Sequence, residues 1–160
     1  MAVKPQKTVR SIDEFKTQLH RHGLKATRPR IAVHTVMMEL VHASPDQIVE
    51  KFRENGVKVT VASVYNILSE LSDNHIYARR LSAAGKMFFD AIPEPHVHMY
   101  DRENHTFRDV VDDDLSAIVA EHLGRRKFKG YTIEDIDIQF VARPTKRKKL
   151  GNSKYYRDCL

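Results

Sequence analysis

The chain has 160 residues, enough for one ordinary domain or two small ones, and its 41% hydrophobic and 30% charged residues are the balance of a soluble globular protein. No run of about 18 apolar residues occurs, so no helical membrane span is expected. Met1 to Arg10 lacks the apolar core of a secretory signal, which points to the cytoplasm. Lysine and arginine outnumber acidic residues 27 to 21, a formal charge of +6 that favours nucleic acid as partner through phosphate contacts and counterion release. A single cysteine, Cys159, excludes an internal disulfide and a zinc site made of four cysteines.

Ser11-Ile12-Asp13-Glu14 has the form of a capping box, with Ile12, Phe15 and Leu19 on one helical stripe and Gly23 at the end. Thr27 is expected to cap a second helix, with Pro29 tolerated in its first turn and Ile31, Val33, Val36, Met37 and Leu40 apolar. Ser44-Pro45-Asp46-Gln47 opens a third helix with serine at the cap, proline at the first helical position and glutamine reaching back. Asn55-Gly56 stops it. Thr60 starts a fourth helix on the stripe Val64, Ile67, Leu68 and Leu71. Strands are expected over 76–81 and 87–90, around the turn Ser82-Ala83-Ala84-Gly85-Lys86.

Helices followed by a hairpin describe a winged helix-turn-helix, whose fourth helix enters the major groove while the hairpin touches the backbone. The exposed positions of that helix include Ser63, Tyr65, Asn66 and Ser69. A tyrosine ring packs on thymine methyls and Asn66 reads adenine bidentately. Tyr65 serves equally well as a half-buried packing residue, and a helical domain with a hairpin and no DNA has the same element order.

The second half predicts strands over 97–100 and 106–110, a helix begun by Asp112-Asp113-Asp114, and an alternating strand over 136–140. The fold class is therefore α+β: a DNA-binding domain over 1–92 (1–10 flexible), a small α/β domain over 93–143, and a basic tail over 144–160 around Lys146-Arg147-Lys148-Lys149. About fifty residues bury too little core to stand alone, so the second unit is expected to pair in a homodimer. A two-fold dimer also suits a palindromic DNA site.

His96-Val97-His98 puts two imidazoles on one face of a strand, a spacing that lets both bind one ion. Together with His42, Asp90 and Asp109 the pair offers three nitrogens and two carboxylates, a set suited to Fe(II) or Mn(II) and accessible to Zn(II). His42 is expected in the loop before the third helix. His20, His22, His34, His75, His105 and His122 have no such grouping. Two histidines and a carboxylate also form the facial triad of iron oxygenases, but no double-stranded β-helix pattern accompanies them, and an enzyme is not expected. A winged helix without metal is the remaining alternative.

Across roughly Gly23 to Arg143 the chain resembles the ferric-uptake-regulator (Fur) family. Gly23-Leu24-Lys25-Ala26-Thr27-Arg28-Pro29-Arg30 is similar to the family's opening motif, and Ala62-Ser63-Val64-Tyr65-Asn66 to its recognition-helix motif. Asn66 after Tyr65, and aspartate at Asp109, resemble the peroxide-responsive (PerR) branch rather than iron-uptake members. The resemblance implies a metal-dependent repressor with one regulatory site per subunit, formed by His42, Asp90, His96, His98 and Asp109, on an A/T-rich palindromic operator. In the peroxide branch bound Fe(II) reacts with hydrogen peroxide, and the oxidant attacks a ligating imidazole; carried over, the oxidised residues are His42 and His96. Mn(II) does not drive that reaction. An iron- or manganese-responsive uptake regulator that does not sense peroxide has nearly the same ligands. For DNA the resemblance points to Lys25 in the minor groove and Tyr65 and Asn66 in the major groove, with Ser63 and Lys86 on phosphates. The paired cysteines of the family's structural zinc site are missing, and Asp101-Arg102-Glu103-Asn104 stands where the first pair would be, so no structural zinc is expected.

Overall fold

A computed structural model describes residues 8–145. The basic run 146–149, most of the expected tail and Cys159 lie outside the described residues, as do residues 1–7. Ser11 caps α1 (Ile12–Arg21): its hydroxyl accepts from Glu14 N, and the Glu14 carboxylate accepts from Ser11 N at 2.7 Å. The box satisfies two amides that a helix start otherwise leaves without partners. Thr27 precedes α2 (Arg28–Leu40) but makes no side-chain cap. Pro29 at the second helical position offers no N–H, and the Thr27 hydroxyl does not take up that of Arg30 at the third, the position that the Ser11, Ser44 and Thr60 caps use.

Val41 then turns the chain sharply at φ +61. This is costly backbone for a β-branched residue, held by Val41 N on Met37 O at 2.8 Å and by Ala91 N on Val41 O at 3.0 Å. The turn lays His42–Ala43 beside the wing as strand β1. His42 therefore sits in a strand, not in the expected loop. Ser44 and Gln47 form the second capping box at the head of α3 (Pro45–Glu54). Ser44 is fully buried, so Ser44→Ala is expected to destabilise the protein by about 1–2 kcal/mol in urea denaturation.

Helix α4 (Val61–Asp73) starts at Thr60, whose hydroxyl accepts from Ser63 N. Phe15, Leu19, Met37, Ile48, Leu68 and Leu71 have no exposed surface and form the core between the four helices. The wing is β2 (Ala78–Leu81) against β3 (Met87–Asp90). Pairing begins at Ala78 rather than 76, because β3 ends at Asp90, the partner of Ala78. With β1 on the other edge of β3, the sheet order is β1-β3-β2.

A second sheet is centred on β4 (Val97–Asp101), antiparallel to β5 (Thr106–Val110) and parallel to β6 (Ile138–Ala142). The last strand starts two residues later than expected, since Val97, the first residue of β4, pairs with Ile138 and leaves 136 and 137 without a neighbour. Between them α5 (Asp113–Gly124), capped by Asp112 on Leu115 N, buries none of its residues. Phe88 from the wing meets Tyr100 and Phe107 of the second sheet in a small aromatic cluster, with Phe88 and Phe107 centroids 5.0 Å apart. The α+β architecture is thus helices and a three-stranded wing sheet first, a small sheet with one helix after.

Candidate metal centre

The two sheets meet at the five side chains singled out in the sequence. His42 leads β1 opposite Asp90, the last residue of β3, and His98 in β4 is opposite Asp109 in β5. His96 stands just ahead of β4, its Nδ1 2.7 Å from Glu94 O. A ring that donates from Nδ1 to a carbonyl presents a lone pair at Nε2.

All three Nε2 atoms turn toward the two carboxylates. His42 Nε2 and His96 Nε2 are each 2.9 Å from Asp109 Oδ1. His98 Nε2 is 3.2 Å and His96 Nε2 3.5 Å from Asp90 Oδ2, and His42 Nε2 is 3.6 Å from Asp90 Oδ1. One donor atom from each of His42, His96, His98 and Asp109 lies within 4.8 Å of the others. Ligands about 2.1 Å from a common ion stand about 3 to 4 Å apart, so the spacing fits. Among the described residues the buried His42 Nε2 makes no aligned hydrogen bond despite its short distance to Asp109, whereas His96 Nε2 and His98 Nε2 are within hydrogen-bond reach of Asp109 Oδ1 and Asp90 Oδ2. Asp90, fully buried, gives Oδ1 to Ile92 N at 2.8 Å and keeps Oδ2 facing the imidazoles. Residues and geometry fit Fe(II), Mn(II) or Zn(II).

Burial pushes the Asp109 carboxyl up, but the His42 and His96 imidazoles outweigh it and hold Asp109 well below the usual carboxylate range. Burial lowers His98, yet the Asp137 and Asp90 carboxylates outweigh it and hold the ring protonated above the usual range. A depressed Asp109 contributes stability above its unfolded value of about 4 that is lost as pH falls further, and a raised His98 contributes stability below about 6.5 that is lost as pH rises through its folded value. Metal-free protein is therefore expected to melt highest between these limits, while Mn(II) affinity climbs with pH because the ligands must shed protons. Thermal melts and metal titrations across pH 4–8 check both.

Three charged residues beside the site were not singled out in the sequence: Arg80 on β2, and Asp135 and Asp137 ahead of β6. Arg80 has no exposed side-chain surface; its Nε is 3.7 Å from Asp90 Oδ2 and its Nη1 2.8 Å from Asp135 Oδ2. An arginine at an inward strand position requires counter-charges, but sequence does not say which carboxylates supply them.

The DNA candidates lie on α4, in the wing turn and in the segment ahead of α2. Tyr65, 44% exposed, rests its ring against Phe89 with centroids 5.9 Å apart, so it both packs and presents a face. Asn66 and Ser63 are exposed on α4, with Ser63 Oγ 2.8 Å from Thr60 Oγ1. Lys86, in the wing turn, is 3.1 Å from Asp46 Oδ2. Lys25 is exposed ahead of α2, where its carbonyl accepts from Arg30.

A winged helix carrying a mixed imidazole and carboxylate site at its junction with a small sheet domain is the class these features define. The model of the ferric uptake regulator family matches residues 21–140, and the chain belongs to that family. Family members are transcription regulators rather than enzymes. The chain is similar to the ferric uptake regulation protein of Haemophilus influenzae, 30% identical over 80 residues (49% of this chain, 55% of that protein). It is 29% identical to that of Escherichia coli K12 over 82 residues (50% and 55%). The chain thus spans about half the length of the curated relatives it matches. Its fold is similar to the Vibrio cholerae ferric uptake regulator, with TM-score 0.66, 21% identity and coverage of 81% of this chain and 98% of that one. The Pseudomonas aeruginosa regulator with manganese gives TM-score 0.64, 22% identity and coverage of 82% and 98%. The Campylobacter jejuni peroxide stress regulator gives 0.59, 16% and coverage of 87% and 99%. At these identities the likeness is one of fold.

Proposed function

We propose that the chain is a homodimeric, metal-dependent transcriptional repressor in which His42, Asp90, His96, His98 and Asp109 hold one Fe(II) or Mn(II) per subunit, and that peroxide releases it from DNA by oxidising His42 or His96. The observation that carries the reading is the convergence of donor atoms of His42, His96, His98 and Asp109, drawn from both sheets, within 4.8 Å of one another, with the Asp90 carboxylate alongside at 3.2 to 3.6 Å from the three Nε2 atoms.

Residues 1–92 act as the DNA-binding unit and 93–143 as the dimerisation unit. His42 and Asp90 come from the first, His96, His98 and Asp109 from the second, so holding one ion fixes the angle between them. In a dimer that angle sets the distance between two α4 helices, and binding needs the spacing of half-sites about one helical turn apart. Exposed apolar side chains on the second unit support a paired copy: Val111, Ile118 and Val141 are 65%, 63% and 48% exposed. A turn after β4 closed without zinc is supported by Asp101, which accepts from Glu103 N, Asn104 N and Asn104 Nδ2 at 2.8 to 3.0 Å.

On an A/T-rich palindrome, α4 presents Tyr65 to thymine methyls and Asn66 to adenine, Ser63 and Lys86 meet phosphates, and Lys25 reaches the minor groove. Asn66→Ala is expected to weaken operator binding roughly 10- to 100-fold, the worth of one bidentate base contact, and to leave mixed-sequence DNA unaffected. Fluorescence anisotropy with the two duplexes measures this.

Held by His42, Asp90, His96, His98 and Asp109, Fe(II) would supply the redox chemistry through which hydrogen peroxide, the two-electron oxidant, gives one oxygen to a ring carbon of His42 or His96 and loses the other as water, the iron ending as Fe(II). His42 and His96 present their Nε2 atoms at the Asp109 side of the site, where the cluster is least buried. A ring oxidised there loses donor strength, and the two units lose their common anchor. Mass spectrometry of iron-loaded protein after peroxide is expected to find one added oxygen on His42 or His96 together with loss of DNA binding, and neither change in manganese-loaded protein. Iron-loaded protein that stays unmodified and DNA-bound would instead be an iron- or manganese-responsive regulator without peroxide sensing.

A further inference from the structure

His98 has no exposed surface, and its two ring nitrogens face different neighbours. Nε2 looks into the ligand cluster, 3.2 Å from Asp90 Oδ2, whereas Nδ1 looks out of it toward Asp137 Oδ1 at 3.5 Å. Nδ1 is buried and makes no hydrogen bond among the described residues. A histidine that gives Nε2 to an ion carries its proton on Nδ1, and a buried N–H needs an acceptor. Asp137 Oδ1 lies less than about 1 Å beyond normal hydrogen-bond length.

Asp137 is itself held in place. Gln139 Nε2 donates to its Oδ2 at 2.5 Å and to Leu81 O of the wing at 2.8 Å. Arg80 Nε stands 3.9 Å from Asp137 Oδ1 and 3.7 Å from Asp90 Oδ2, with the guanidinium anchored on Asp135. Nε and Nη2 of Arg80 are buried without hydrogen-bond partners among the described residues, so a small inward movement of Asp137 gives two incomplete groups, His98 Nδ1 and Arg80 Nε, a better acceptor at once.

We propose that Asp137 is a positioning residue of the metal centre, which accepts the Nδ1 proton of His98 and thereby ties the segment ahead of β6 to the ligand shell. The inference rests on the metal reading above. The carboxylate fixes the ring tautomer and orientation and raises the basicity of Nε2 toward the ion. Through Gln139 and Arg80 the same contact clamps β6 against β2, so ion binding draws in the segment ahead of β6 along with the four stretches that carry the ligands.

Competition between the full chain and a fluorescent chelator for Mn(II), with wild type, Asp137→Ala and Asp137→Asn, tests this. Asp137→Ala is expected to lower affinity roughly 10- to 100-fold. Asp137→Asn keeps the size and a neutral acceptor oxygen and is expected to fall between. In Zn(II)-loaded protein with isotope-labelled histidine, the wild-type His98 Nδ1–H proton is expected far downfield and protected from exchange, shifting upfield in Asp137→Asn. That signature separates proton acceptance from a merely structural role, and Asp137→Asn keeps the test valid if the alanine variant folds poorly. Unchanged affinity and an unmoved Nδ1–H resonance in Asp137→Asn would overturn the proposal. Wild-type protein that binds neither ion would overturn the metal reading itself, a result distinguishable from the first.

Discussion

His42→Ala is expected to cut Mn(II) affinity roughly 100-fold, about 2.7 kcal/mol, which is the share of one ligand in a structural-metal binding energy divided among its donors. Its backbone stays paired with Asp90 in β1, so the strand survives the substitution. What disappears is the one imidazole that the helical half contributes to the cluster. Of the remaining ligands His96, His98 and Asp109 lie on or next to the second sheet and only Asp90, at the end of the wing strand β3, comes from the first half, so the ion no longer braces β1 behind α2. Mn(II)-dependent DNA affinity is therefore expected to fall further than metal affinity alone requires, even at saturating Mn(II). Chelator competition and anisotropy on the same samples measure the two losses. His20→Ala, on the exposed surface of α1, is expected to change neither.

Arg80→Met should destabilise the metal-free protein by roughly 1–3 kcal/mol, the cost of taking one partner from a buried carboxylate that keeps others. The carboxylate is Asp90, whose side chain, like that of Arg80, has no exposed surface and which keeps the His98 ring at 3.2 Å and the Ile92 amide at 2.8 Å. Methionine keeps much of the stem's volume, so the loss reports the charge rather than a cavity. Bound Mn(II) supplies a positive charge to the same carboxylate, and ligand linkage adds about 2.7 kcal/mol at a hundred times the dissociation constant. Urea denaturation with and without Mn(II) should show the deficit shrinking when metal is present. Equal deficits in both conditions would place the role of Arg80 in its Asp135 contact instead.

Features with local causes were legible in the sequence. The boxes at Ser11 and Ser44 are completed within four residues, and both form as expected. Thr27 fits the same pattern but leaves the Arg30 amide at the third helical position untaken, a difference the cap pattern alone does not foretell. Strand β1 is two residues long, too short for periodicity, and arises from the turn at Val41; nothing in the residues around His42 announces it. The start of β6 depends on where β4 begins, some forty residues earlier in the chain. For the site, the His96–His98 spacing was visible, and the other candidate ligands were gathered by type and by family resemblance. Arg80, Asp135 and Asp137 were not, because their importance comes from parallel pairing of β6 with β4 and from burial, neither of which is written in neighbouring residues.

In the proposed regulator an ion joining His42 and Asp90 to His96, His98 and Asp109 sets the DNA-reading geometry. Anisotropy of a labelled A/T-rich palindromic duplex, titrated with the full chain in Mn(II) and then in excess chelator, addresses it most directly. Tight binding in Mn(II) that collapses on chelation and returns with fresh metal is the predicted result. Equal affinity in both conditions would contradict it.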